Sequence, residues 1–142
     1  MPRIALLNII IGFSLIILAS AAGSFVALDT TYRFLNQEGQ NNWRAVLEAA
    51  SHGHTALFGV IHILIGLTLP YSKLPKKFLR IETMMLFCGA LAMGPGMYIR
   101  GFLGPTSSTE WNGLLVGALL SAWLVGVVMH TTGLVFKYFE KN

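Results

Sequence analysis

Charge is what this chain has least of. Only 11% of its 142 residues are Asp, Glu, Lys or Arg, about half the share found in a soluble domain. That scarcity excludes a disordered chain, which stays open through charge and low hydropathy, and an ordinary cytosolic enzyme surface. Ten basic residues against six acidic ones, a net charge of +4, are too few to track a phosphate backbone, so no nucleic-acid partner is expected. Cysteine is as scarce. Cys88 stands alone and can form neither an internal disulfide nor a thiolate cluster, so it says nothing of the redox compartment. The sequence has no Gly-rich phosphate loop, no nucleophile elbow and no zinc motif with His at i and i+4. Asp29 is its only aspartate, and no paired-carboxylate site suggests itself.

Apolar residues are what is abundant: 54% of the chain, with a mean hydropathy of +0.64. A helix needs about 20 mainly apolar residues to cross the hydrocarbon layer. Four runs meet that length, at about 4–28, 49–69, 78–98 and 111–136. The first imitates a secretory signal, with Arg3, an apolar stretch and the small residues Ala19-Ser20-Ala21-Ala22-Gly23; it is read as a span. The expected fold is therefore an all-α integral membrane protein, a single four-transmembrane-helix bundle over residues 1–142.

Orientation follows from where the basic residues sit. Arg3, Lys73, Lys76, Lys77, Arg80, Lys137 and Lys141 flank one side, and only Arg33, Arg44 and Arg100 flank the other. This predicts both termini in the cytoplasm of a bacterial inner membrane, with the basic excess facing anionic headgroups. Pro70 and Pro75 stop the second helix. Trp43 to Ala50 is expected to form an amphipathic helix on the outer interface. Gly94-Pro95-Gly96 is expected to bend the third helix, and Ser107-Ser108-Thr109-Glu110 to supply a cap for the fourth. Trp43, Trp111, Tyr32, Tyr71 and Tyr138 suit the two interfacial belts.

All four histidines, His52, His54, His62 and His130, lie within the apolar runs, where ionisable groups are costly and usually functional. Helix rise places His62 about 12 Å above Pro70 and His130 about 10 Å above Lys137, nearly level in the inner half. Two level imidazoles on different helices suit the axial ligation of one haem b between them. Small neighbours (Gly59 and Gly66; Gly126 and Gly133; Gly89, Ala90, Ala92, Gly94 and Gly96) would leave room for a flat macrocycle, or simply for helix packing. The alternative is that both rings hydrogen-bond across helices without a cofactor. His52 and His54 sit at the outer end of the second run, too far from His62 to share its iron. They suit a second haem or a metal, a quinol headgroup, or the wet interface. Copper held by His52, His54, Met93 and Met97 is a further alternative. Arg80 on the inner side and Arg100 on the outer side suit propionates or headgroups, and Glu82 suits an ion pair with Lys76 or Lys77.

The run Ser51-His52-Gly53-His54-Thr55-Ala56-Leu57-Phe58-Gly59, ending at Leu69-Pro70, resembles a histidine-bearing helix in the catalytic subunit of haem–copper oxidases and nitric oxide reductases. In that family an early helix carries a low-spin haem ligand near its outer end. The resemblance implies that His52 or His54 is such a ligand and that a haem lies in the outer half. The family's many further spans and its copper-binding histidines have no counterpart here, so no oxygen or nitric oxide reduction is implied.

Residues and resemblance together suggest a small b-type cytochrome or haem-carrying subunit of a respiratory complex, passing electrons between quinol and a partner. The cofactor sites would comprise His62, His130 and His54, with His52, Arg80 and Arg100 beside them and one or two haems bound. The rival readings are a cofactor-free accessory subunit of a larger membrane enzyme, or a homo-oligomer of the same kind, and an outer-side copper-binding protein.

Overall fold

The computed structural model describes residues 1–36, 42–104 and 110–140, apart from the side chains of Phe34 and Asn42. Its helices are α1 (Arg3–Leu35), α2 (Asn42–Thr68), α3 (Lys76–Leu91), α4 (Met97–Leu103) and α5 (Trp111–Tyr138). A 3-10 turn, Leu69–Tyr71, follows α2, and a π-helical segment, Ala92–Gly96, joins α3 to α4. Counting α3 through α4 as one, four helices among the described residues are long and apolar enough to cross a membrane. The starts of α1 and α3 and the ends of α2 and α5 lie at one end of the bundle, the near end; the ends of α1 and α4 and the starts of α2 and α5 lie at the far end.

The helices outrun the expected spans because local polar pairs prolong them. In α1, Arg33 and Asp29 pair at 2.9 Å across one turn. In α2, Arg44 and Glu48 pair at 2.7 Å in the same register, with the Arg44 guanidinium 4.1 Å over the Phe102 ring. The interfacial helix expected at Trp43 to Ala50 is therefore not a separate element: no breaker interrupts the backbone ladder, and these residues are the first turns of α2. Pro70 does end that helix, at the 3-10 turn. Glu110 stands at the start of α5 without a side-chain capping bond; Ser107, Ser108, Thr109 and Lys141 lie outside the described residues.

Helices α1 and α2 form a close antiparallel seam with a seven-residue repeat on α2. A Cβ added at Gly59 would lie 2.8 Å from the Gly12 carbonyl, and one at Gly66 would lie 2.7 Å from that of Ala5. Such backbone approach is the usual service of small residues in membrane bundles. His52 occupies the next step of the repeat, against Gly23, where an added Cβ would sit 2.9 Å from the imidazole. Helix α3 packs on α5. Ala5, Ile65, Leu69, Leu79 and Leu86 form a core at the near end, Leu15, Phe58 and Ala90 form one further along, and Trp123 touches both.

Proline 95 brings no N–H to the helical ladder, and the chain widens there into the π segment. The Ser51 hydroxyl donates to the Gly94 carbonyl at 2.7 Å, tying the widened stretch to α2. Beyond α4, Gly104 turns the chain at φ 81°, a conformation that favours glycine.

Candidate functional site

Two polar clusters cross the apolar bundle and meet as neighbours on α3. Their members Glu82 and Thr83 are consecutive residues of α3 pointing to different neighbours. In the first cluster Asn8 of α1 is central. Its Nδ2 donates to the Thr83 hydroxyl at 2.8 Å and to the Ile4 carbonyl at 3.0 Å, and its Oδ1 lies 2.9 Å from His62 Nδ1. Because Oδ1 only accepts, Nδ1 carries the proton and His62 Nε2 is a bare lone pair. That nitrogen is buried and makes no hydrogen bond of good geometry among the described residues, although the Leu86 backbone lies close to the ring.

In the second cluster His130 of α5 sits between α3 and α2. Its Nδ1 lies 2.7 Å from Glu82 Oε1, and its Nε2 lies 2.9 Å from the Thr68 hydroxyl. Thr68 donates its own proton to the Leu64 carbonyl at 2.8 Å, so it accepts from Nε2–H. One proton is left for Nδ1 and Oε1 to share, which keeps the pair neutral as a whole. Neutrality is what full burial requires: Glu82 is 0% exposed, and an uncompensated charge there would be severely penalised.

This arrangement corrects the expected pairing of Glu82 with Lys76 or Lys77. Helix α3 already begins at Lys76, so Glu82 lies about 9 Å inside it by helix rise and turns inward, away from both lysines. Asn8, Thr68 and Thr83 were not among the expected site residues. A lone Asn in an apolar run carries a signal, because its amide needs partners, but the sequence does not say which helix supplies them.

The fit of a haem shared by His62 and His130 can be read from the same bonds. His62 has what an axial ligand needs, an anchored Nδ1–H and a bare Nε2. His130 does not, since Glu82 and Thr68 hold both of its nitrogens. The glycine faces are filled as well. A Cβ at Gly126 would meet Leu86 and Met85 at 3.1 Å, and one at Gly89 would press on Phe58 and Trp123. In this packing the pair does not fit one macrocycle; those contacts would first have to part.

At the far half of the bundle a half-open cleft of about 400 Å³ lies between α1, α2 and the π segment. Its walls are mainly apolar, including Leu15, Phe87 and Leu91, and His52 and Tyr98 are among its few polar side chains. His52 Nδ1 donates to the Glu48 carbonyl over a long 3.4 Å, which leaves Nε2 as an acceptor on the Gly23 side. The hydroxyls of Ser51 and Thr55 are spent on the carbonyls of Gly94 and Ser51. His54 is half-buried, does not line the cleft and makes no hydrogen bond among the described residues, so the structure separates it from its neighbour two positions away.

The two arginines sit at opposite ends. The Arg100 carbonyl accepts from Trp43 Nε1 at 3.2 Å, and its guanidinium lies 6.0 Å from the Trp43 ring centroid. Arg80 is exposed and lines a crevice at the near end together with Arg3 and Lys76. Among the described residues no group of three or more His, Cys, Asp or Glu side chains is placed to hold a metal ion. Comparison with protein-family models, curated proteins and solved structures finds no match.

Proposed function

We propose that the protein is a quinol-handling subunit of a membrane electron-transfer assembly, embedded in a bacterial inner membrane with both termini in the cytoplasm and the far end outward. The observation that carries this reading is the His52 imidazole in the wall of the apolar cleft, its Nδ1 held by a long contact to the Glu48 carbonyl and its Nε2, on the Gly23 side, without a hydrogen-bond partner among the described residues. A quinol brings a flat ring with two O–H donors and a long apolar tail. The cleft is within the size range of small-molecule sites, its walls suit the ring, and its open side lets the tail run into lipid. Nε2 accepts one hydroxyl proton, and Tyr98 is another polar side chain of the same cleft. Oxidation to the quinone passes two electrons to a redox centre of the partner assembly and releases two protons, one through His52 Nε2 and the other to the solvent at the far end. A π-helical break beside the cleft agrees with this, since such segments often mark functional sites. A photoreactive quinone analogue is expected to label α1 and α3 residues lining the cleft, in competition with unlabelled quinol. Labelling confined to other faces of the bundle would refute the reading.

A b-type haem is the second reading, favoured by the bare, buried Nε2 of His62. Haem would supply one-electron transfer; His62 is the residue that would hold it, and Asn8 would fix the tautomer. A reduced-minus-oxidised spectrum of the purified protein tests this reading. Bands lost in His62→Ala but kept in His130→Ala support it, and a protein without bands after haem-supplemented expression rules it out.

A further inference from the structure

We infer that the near-end crevice between α1 and α3 is a binding site for the headgroup of an anionic phospholipid, independently of the quinol reading. The crevice measures about 480 Å³. Arg3 from the start of α1 and Lys76 and Arg80 from the first turns of α3 stand around it, over a floor that includes Ile4, Leu7 and Leu79. None of these three cations has an ion-pair or hydrogen-bond partner among the described residues. The acids of this end are committed elsewhere: Glu82 turns inward to His130, and Glu140 pairs with Lys73 at 2.6 Å and Lys137 at 2.7 Å. The protein thus gathers three positive charges over an apolar surface and, among the described residues, offers them no counterion.

Charge complementarity asks for an anion, and the floor asks for something apolar attached to it. A phosphodiester headgroup with its acyl chains meets both demands; free phosphate meets only the first. Basic pockets between membrane helices on the cytoplasmic side select lipids in this way. The first turns of α1 and α3 also open here, and their unbonded N–H groups add to the field of the side chains.

The test uses the full chain in zwitterionic phosphatidylcholine nanodiscs containing graded phosphatidylglycerol, with native mass spectrometry counting the lipids that stay bound. Selective retention of phosphatidylglycerol is expected. It should fall about fivefold for each cation removed, hence about 25-fold in Arg3→Gln/Arg80→Gln. A control that removes the same charge outside the crevice, Lys77→Gln/Lys137→Gln, should lose little. Because all four side chains are exposed, each variant is checked for unchanged helicity before lipids are counted. Equal losses in the two double variants, no preference for phosphatidylglycerol, or equal displacement by inorganic phosphate would each overturn the proposal.

Discussion

Glu82 Oε1 lies 2.7 Å from His130 Nδ1 inside an apolar bundle, with the carboxylate 0% exposed. The bond joins α3 to α5, and Thr68 on the other side of the ring adds α2. An ordinary interhelical hydrogen bond in a bilayer contributes about 0.6 kcal/mol, whereas leaving a buried polar group without its partner costs about 1–3 kcal/mol. Full burial and the shared proton place Glu82→Ala near the larger figure. Replacing both residues by apolar ones, Glu82→Leu with His130→Phe, should restore most of the loss. Reversible unfolding in mixed detergent micelles measures both; a double variant no more stable than the single one would contradict the pairing.

The α1–α2 seam makes a sharper prediction about two glycines on one helix. At Gly59 a Cβ would meet the Gly12 carbonyl at 2.8 Å and Ile16 at 2.8 Å, whereas at Gly53 nothing lies within 4 Å. Gly59→Ala should therefore destabilise by about 1–3 kcal/mol through overpacking. Gly53→Ala should be neutral or stabilise by about 0.5–1 kcal/mol through the lost flexibility of glycine. The same unfolding measurement decides it, and equal effects at the two positions would show that the seam is not closely packed.

The near-end tail responds to pH in a direction that can be worked out. Lys137 and Lys73, both hydrogen-bonded to Glu140, hold its carboxyl below the usual carboxylate range. A depressed folded-state value means that the contact contributes above the ordinary pKa and is lost as pH falls through the lowered one. The tail should therefore release from Lys73 only in acid, below about pH 4.5, and more readily in high salt, since the pair is exposed. Distances between spin labels near residues 73 and 140 would report this; a tail insensitive to acid would contradict it.

Gly23 faces His52 from α1, and a Cβ there would press on the imidazole at 2.9 Å. Gly23→Ala should displace the ring and weaken quinol binding while leaving the far-end fold intact. Gly117→Ala, with open space at its added Cβ, should leave binding unchanged. Equilibrium titration with a short-tailed quinol compares the two, and equal affinities would separate His52 from the ligand.

The four long helices were readable from apolar run lengths alone, because a helix that crosses lipid must satisfy its backbone internally. Helix rise put His62 and His130 at nearly one height; the structure gives His62 to Asn8 and His130 to Glu82 and Thr68, and Thr68 lies six residues nearer the end of α2 than His62. What the rings do at that height was not readable. Residue spacing says how deep a side chain lies along its own helix, but not which neighbour it turns to. Glu82 misled because it follows a basic cluster that looks like a headgroup border, although α3 had already begun at Lys76. The sequence favoured His54 for the outer site with His52 beside it; it is His52 that lines the cleft, against Gly23 of α1.

The account stands most directly on the affinity of the purified protein for a short-tailed quinol, measured for the native chain, His52→Ala and His54→Ala. Saturable binding to the native chain is expected, weakened about tenfold when the hydrogen bond to His52 is removed and unchanged in His54→Ala. Binding that survives His52→Ala at full strength, or that is lost equally with His54, would contradict it.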